Sequence, residues 1–388
     1  MTTRTRLAVV FVTAPILAFA VVGGLLGRTM AGPETYPHLR VFDDVFNLTA
    51  NNYVEQVDLE RLMHGAMHGL ADSLDADSAY LTPEQTKSVE AHDGLPAGDV
   101  GLELTRQFYL RVISARDGSP AARAGLRTGD YIRGIDRQPT REMSVWEGSR
   151  KLRGRPGTTV SLTVIRGNAA DPHVIELTRE VLAPVWPVTK MTGTTVGVIR
   201  VAEFADTTPA DMRAAVMKAQ KDGAKAIVID LRGTSAGPFL SGIETARVFV
   251  AAGTLALQET RGASRQTIAA TPGDGAVTVP MALLIDGGTA GPAEMFAAAL
   301  LGNKRADTFG ERTGGRAALQ RLFKLPDGSG LWMSYAWYLT PAGNPIHDRG
   351  LQPDVAIEQP DVDFGAALPS EDPTLNQAVE RLRSKLSS

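Results

Sequence analysis

The chain has 388 residues, and at about 150 residues per domain this length asks for two or three domains rather than one core. Hydrophobic residues make up 43% and charged residues 21%, with 39 Gly and 23 Pro, which excludes a disordered, collagen-like or coiled-coil chain. There is no Cys, so disulfides, thiolate metal sites, iron–sulfur clusters and a cysteine nucleophile are all excluded, while 40 basic against 43 acidic residues, a net charge of -3 and no basic block argue against a nucleic-acid partner.

Residues 7–27, LAVVFVTAPILAFAVVGGLLG, carry no charge over 21 positions, enough to cross a hydrocarbon core of about 30 Å as a helix. Arg4 and Arg6 precede this segment, so the positive-inside rule makes residues 1–6 a cytoplasmic tip and places the body outside the cytoplasm, periplasmic or extracellular. The alternative is a secretory signal cleaved near TMAG at 29–32, which would release a secreted body. Residues 37–95 read as two or three helices, because Leu39, Phe42, Val45, Phe46, Leu62, Met63, Met67, Leu70 and Leu74 fall at helical spacing. His64 and His68 lie four apart as a metal pair would, but no acidic residue completes an HExxH pattern and Gly65 and Gly69 adjoin them. A surface or helix-packing role is therefore expected, with no metal and no cofactor.

The DGLPAGD stretch at 93–99 breaks the helical pattern, and strand-like alternation begins at Val100. An apolar-Gly-apolar loop (Val100, Gly101, Leu102), then SPAARAGLRTGDYIRGID with its Gly129-Asp130 turn, a helix near Ser144–Leu152 and a strand within PGTTVSLTVIR at 156–166 follow. Residues 98–182 thereby resemble a PDZ domain. The resemblance implies capture of an extended C-terminal peptide by strand addition, with the Val100, Gly101 and Leu102 loop receiving the terminal carboxylate.

From Val185 strand and helix alternate: a strand in Val196–Phe204, a helix over Pro209–Asp222, a strand at Ala226–Leu231, a helix over Gly242–Val250, a strand at Met281–Ile285 and a helix over Pro292–Leu301. The strands at 226–231 and 281–285 are unbroken apolar runs, as burial on both faces requires, and the alternation predicts an α/β layered core over 185–360 within an α+β multidomain chain. Residues 361–388 read as a C-terminal tail with a helix.

NYVEQVDLERLMHGAMHGLADSLDADSAYLTPEQ at 52–85, the inserted PDZ-like segment, IDLRG near Asp230 and LPDGSGLWMSYAWYLTPAGNPIHDRGLQPD at 325–354 are collinear. On these stretches the exported part resembles the C-terminal processing peptidases, or tail-specific proteases. The resemblance implies a core similar to crotonase and the Clp proteases, serine peptidase chemistry with a Lys base, and protein C-terminal tails or unstructured polypeptides as substrates. The family's SASASE motif aligns with TAGPAE at 289–294, so the nucleophile position is Gly291. Its GKGxVQ motif aligns with GGRAALQ at 314–320, so the base position is Arg316, 25 residues on and in register, while Gln320 is retained. Its oxyanion loop LRNNPGG is here LRGTSAG at 231–237, with Ser235 and Ala236 substituted and Gly237 kept.

Acyl transfer needs a hydroxyl activated by a base. Gly291 has no hydroxyl, and a guanidinium stays protonated and offers no acceptor lone pair. The expectation is a pseudoenzyme that still binds tails, anchored to the membrane and open to homo-oligomers or hetero-oligomers with an active peptidase. The alternative is an active serine-type or threonine-type endopeptidase using Ser235 or Thr289, although Thr289 reads first as a helix N-cap and Ser235 as a turn residue. Lys304 and Lys324, at expected surface turns or strand ends, are the nearby amines, and Glu294 is expected to support the helix N-terminus.

Overall fold

In the computed structural model, residues 35–91, 94–167, 171–360, 362–366 and 369–387 are described. The charge-free segment 7–27 lies outside them, and among the described residues no helix is long and apolar enough to cross a membrane. The chain divides into two units, Met1–Met67 and His68–Ser388. The first holds helix α1 (Thr35–Asn52) and most of α2 (Leu59–Asp72). The predicted helices form, with Leu39, Phe42, Val45 and Leu48 exposed. Among the described residues no group of three or more His, Asp or Glu is placed to hold a metal ion.

In the second unit, strand β1 (Ala79–Leu81) leads into α3 (Pro83–Glu90), which opens on a capping box between Thr82 and Gln85. The PDZ-like part then runs β2 (Gly98–Asp99), β3 (Leu102–Arg106), β4 (Leu110–Ala115), α4 (Pro120–Arg123), β5 (Tyr131–Ile135), β6 (Gln138–Pro139), α5 (Val145–Leu152), β7 (Thr159–Ile165), β8 (His173–Thr178) and β9 (Glu180–Val181). Helix α5 starts where the sequence places it, with Ser144 as N-cap and Glu147 closing a capping box. The main sheet has the order β3-β4-β5-β7-β8, so β3 is an edge strand, and Leu104, Leu110, Ile132, Leu152 and Leu162 fill its core.

The core that follows comprises β10 (Val188–Thr192), β11 (Val196–Arg200), α6 (Thr208–Lys221), β12 (Ala226–Asp230), α7 (Phe239–Ala246), β13 (Thr254–Thr260), β14 (Gln266–Ala269), β15 (Met281–Ile285), α8 (Pro292–Gly302), β16 (Asp307–Gly310), β17 (Ala318–Lys324), β18 (Gly330–Leu339), β19 (Val355–Ala356) and α9 (Pro373–Ser387). One sheet has the order β10-β11-β12-β15-β16-β19, parallel from β11 to β19. Its strands β12 and β15 are apolar on both faces because both are covered. Residues of α6, α7 and α8 pack with Ile227, Ile229, Leu283 and Ile285, while Ala378, Val379 and Leu382 of α9 pack with Val196, Val228 and Leu284. The C-terminal helix is thus part of the layered core. Helix α8 is buried from Pro292 to Leu300, which its all-round apolar sequence requires. A second sheet, β1-β18-β13-β14 with β17 on β18, completes the unit. The helix expected over Gly242–Val250 runs Phe239–Ala246 instead, starting three and ending four residues earlier, with the chain turning at Arg247.

Candidate functional site

The site forms where β15 ends and the chain turns into α8. The Asp286 carboxylate organises this turn, accepting from the Gly233 amide at 2.8 Å and the Gly288 amide at 2.9 Å, and burial pushes its carboxyl upward. Gly291 then takes φ 59°, ψ −123° immediately before α8. This sharp strand-to-helix turn is the backbone arrangement that holds an exposed nucleophile in many hydrolases, and a side chain there is strained. A Cβ on Gly291 would stand 3.1 Å from the Ser235 carbonyl oxygen.

The loop carrying Arg316 is stitched to that turn. Gly291 N donates to the Arg316 carbonyl at 3.1 Å, and Gly314 N donates to the Thr289 carbonyl at 2.9 Å. Glu294, fully buried on the first turn of α8, receives the amides of Gly315 and Arg316 at 2.7 Å each, the Gly291 amide at 3.2 Å and the Thr313 hydroxyl. Burial pushes its carboxyl up to about 7, against the four donors that pull it down. Glu294 therefore does more than complement a helix end, since it holds the Gly291 turn and the Arg316 loop together.

The Arg316 guanidinium lies between two carboxylates, its Nε 3.3 Å from Asp77 and its NH1 3.1 Å from Glu103 of β3. The Asp77 charge leads the factors that hold Arg316 above its already high range, whereas burial pushes the Glu103 carboxyl upward. Neither carboxylate was legible as a partner: Asp77 stands 239 positions and Glu103 213 positions away in the chain. No local pattern reports a contact over that separation.

The other predicted residues take definite places. Gln320 lies on β17, and its amide donates to Ser334 Oγ at 3.2 Å. Ala236 accepts from Phe204 N at 2.9 Å, and Gly237 follows with φ 117°. The Ser235 side chain, 6% exposed, hydrogen-bonds the Ser114 hydroxyl of β4. Thr289 is not the N-cap of α8, a position that Gly291 holds. Its buried hydroxyl instead spans the turn, accepting from Asp286 N at 3.0 Å and lying 2.9 Å from the Leu231 carbonyl it donates to. Lys324 pairs with Glu90 at 2.8 Å, and Lys304 sits just past α8 with φ 53°. In the PDZ-like part, Val100 is fully buried, Leu102 is 7% exposed and Gly101 has φ 79°.

A parallel α/β core with a sharp strand-to-helix turn facing a loop 25 residues on, and a PDZ-like domain between helices and core, together define a serine peptidase fold with a PDZ insert. The family model for peptidase family S41 matches residues 195–357, and a PDZ domain model matches residues 111–166. The chain is 31% identical over 335 residues to the carboxy-terminal-processing protease of Bartonella bacilliformis, covering 84% of this chain and 76% of that one. It is 32% identical over 330 residues to a probable CtpA-like serine protease of Staphylococcus aureus, of which it spans 65%. The solved photosystem II D1 C-terminal processing protease superposes with a TM-score of 0.69 at 25% identity, over 88% of this chain and 95% of that one. The chain belongs to the C-terminal-processing peptidase family.

Proposed function

We propose that this chain is a proteolytically inactive C-terminal processing peptidase homologue that captures extended C-terminal tails of exported proteins through its PDZ domain, held at the membrane by residues 7–27. The observation that carries this reading is the pair Gly291 and Arg316. The backbone turn that would present a nucleophile carries no side chain. The residue at the base position is a guanidinium tied to Asp77 and Glu103, and opposite charges at this range favour its protonated form. Nothing at these two positions accepts a proton or attacks a carbonyl.

The substitutes are engaged elsewhere. Ser235 meets another hydroxyl, that of Ser114, and Thr289 is committed to the turn beneath it. Among the described residues the Ser235 side chain has only that hydroxyl as a hydrogen-bond partner. The Thr289 hydroxyl lies 3.1 Å from Asp286 Oδ1 but is fully buried, and that oxygen is already occupied by the Gly233 and Gly288 amides, so the pair serves the turn. The test incubates the full chain in mild detergent with an unstructured protein and, separately, with a fluorophosphonate probe. No cleavage and no adduct are expected, alongside binding of peptides with apolar C-termini. Cleavage abolished by Ser235→Ala or Thr289→Ala would overturn the reading.

A further inference from the structure

The loop expected to receive a terminal carboxylate already holds one. Val100 N and Gly101 N converge on the Asp99 Oδ1 atom at 2.7 and 3.0 Å. Successive amides aimed at one oxygen form an anion-binding nest, the arrangement by which a domain of this kind grips a chain end. The rest of the loop fixes the aim of these amides. The Val100 carbonyl accepts from Ala121 N at 3.0 Å and the Gly101 carbonyl from Arg116 N at 2.9 Å, so both carbonyls face the segment around α4. Gly101 has φ 79°, and a Cβ there would stand 2.3 Å from the Ser119 Cβ, so only glycine allows this close approach.

Asp99 itself is held in place. Gly98 and Gly154 exchange two backbone hydrogen bonds of 3.0 Å each, which sets Arg153 beside Asp99, and its guanidinium pairs with Asp99 Oδ2 at 2.8 Å. One carboxylate oxygen therefore fills the nest while the other engages a cation. Among the described residues no strand pairs with the outer side of β3, which begins at Leu102.

We infer that Asp99 is a resident competitor for the carboxylate nest, so that an incoming chain end must displace it and take over both the Val100 and Gly101 amides and the Arg153 guanidinium. This inference rests on the tail-binding reading above. Asp99 is then the residue that sets selectivity for a free chain end. With Asp99 in place the domain gains little from a terminal carboxylate and holds an extended segment mainly through the β3 edge.

The test measures fluorescence anisotropy of the full chain in mild detergent with one labelled, unstructured decapeptide ending in three apolar residues, prepared as the free acid and as the C-terminal amide. The wild type is expected to bind the two within about three-fold of each other. Asp99→Ala should bind the free acid about ten-fold more tightly with the amide unchanged, the scale of one charge-assisted contact regained. Asp99→Ala combined with Arg153→Gln should lose most of that gain. Amide exchange provides a readout without ligand, since Asp99→Ala should remove the protection of the Val100 and Gly101 amides in an otherwise native spectrum. A wild type that prefers the free acid ten-fold or more, with Asp99→Ala no tighter, would overturn the competitor while leaving the tail-binding reading intact. Absence of binding by every variant would overturn the tail-binding reading and the competitor with it.

Discussion

At Gly291 the fold retains the backbone of a nucleophile turn, and with it the strain such a turn imposes on any side chain. The residue has φ 59°, and a Cβ would press on the Ser235 carbonyl at 3.1 Å. Gly291→Ala should therefore destabilise the chain by about 1–3 kcal/mol, read as a lower urea midpoint. Restoring the missing groups should not by itself restore chemistry. In Gly291→Ser with Arg316→Lys, the new amine lies between Asp77 and Glu103, and two carboxylates hold an ammonium protonated. Fluorophosphonate labelling of that double variant should stay near background and rise about ten-fold or more when Asp77→Asn and Glu103→Gln are added, because about one pKa unit of relief makes a tenfold difference in free base. Labelling of the double variant at full rate would show that the ion cluster does not govern the site. Glu294 offers a pH test at the same place. Burial raises its carboxyl from an ordinary 4.5 to about 7 in the fold. The fold thus favours the neutral form, and its contribution is complete below about pH 4.5 and lost as pH rises through about 7, with a span of about 3 kcal/mol. Urea midpoints should fall from pH 5 to pH 8 in the wild type and stay flatter in Glu294→Gln.

Among the elements, strands β12 and β15 and helix α8 were legible because their sequences are almost wholly apolar, with Glu294 the one charge inside α8 and Asp230 ending β12, and α8 starts at Pro292. The amphipathic α5 was legible from its cap and spacing. Helix α7 was misplaced because its end is set by tertiary contacts of Arg247, which reaches the Ala269 carbonyl and Asp274, rather than by a local stop signal. Motif register set Gly291 and Arg316 25 residues apart, and in the fold Gly291 N donates to the Arg316 carbonyl at 3.1 Å. The cap assigned to Thr289 failed because the turn is one residue pair longer than a simple N-cap, leaving its hydroxyl to Asp286 and Leu231. Contacts between the PDZ part and the core were not legible at all. Arg200, at the end of β11, clamps Asp117 with two bonds of 2.9 Å, and Arg116 pairs with Glu203 at 2.6 Å. With Arg200 a quarter exposed and Asp117 more so, this clamp is worth no more than about 1 kcal/mol. Arg200→Gln should leave the global urea transition nearly in place and speed amide exchange across β4 and α4. Unchanged exchange there would assign the docking to apolar contact instead.

Over the whole molecule, Gly291 and Arg316 occupy the turn and the facing loop of the core, while the PDZ part has a filled apolar core, β3 as an edge strand of its sheet and a glycine loop at Gly101. On the proposed reading, capture without cleavage has a consequence that neither part shows in isolation: the chain should shield tails from enzymes that compete for them. Mixed in excess with an active C-terminal processing peptidase and an unstructured substrate ending in apolar residues, the full chain should slow degradation in proportion to the substrate it binds. Tightening the PDZ loop with Asp99→Ala should strengthen this protection for free-acid tails and leave amidated tails unaffected. The protection should saturate at one substrate per binding site, since one groove holds one tail at a time. Acceleration of degradation would instead mean that the chain delivers tails to the active enzyme, and it would replace shielding with a carrier role for the same groove.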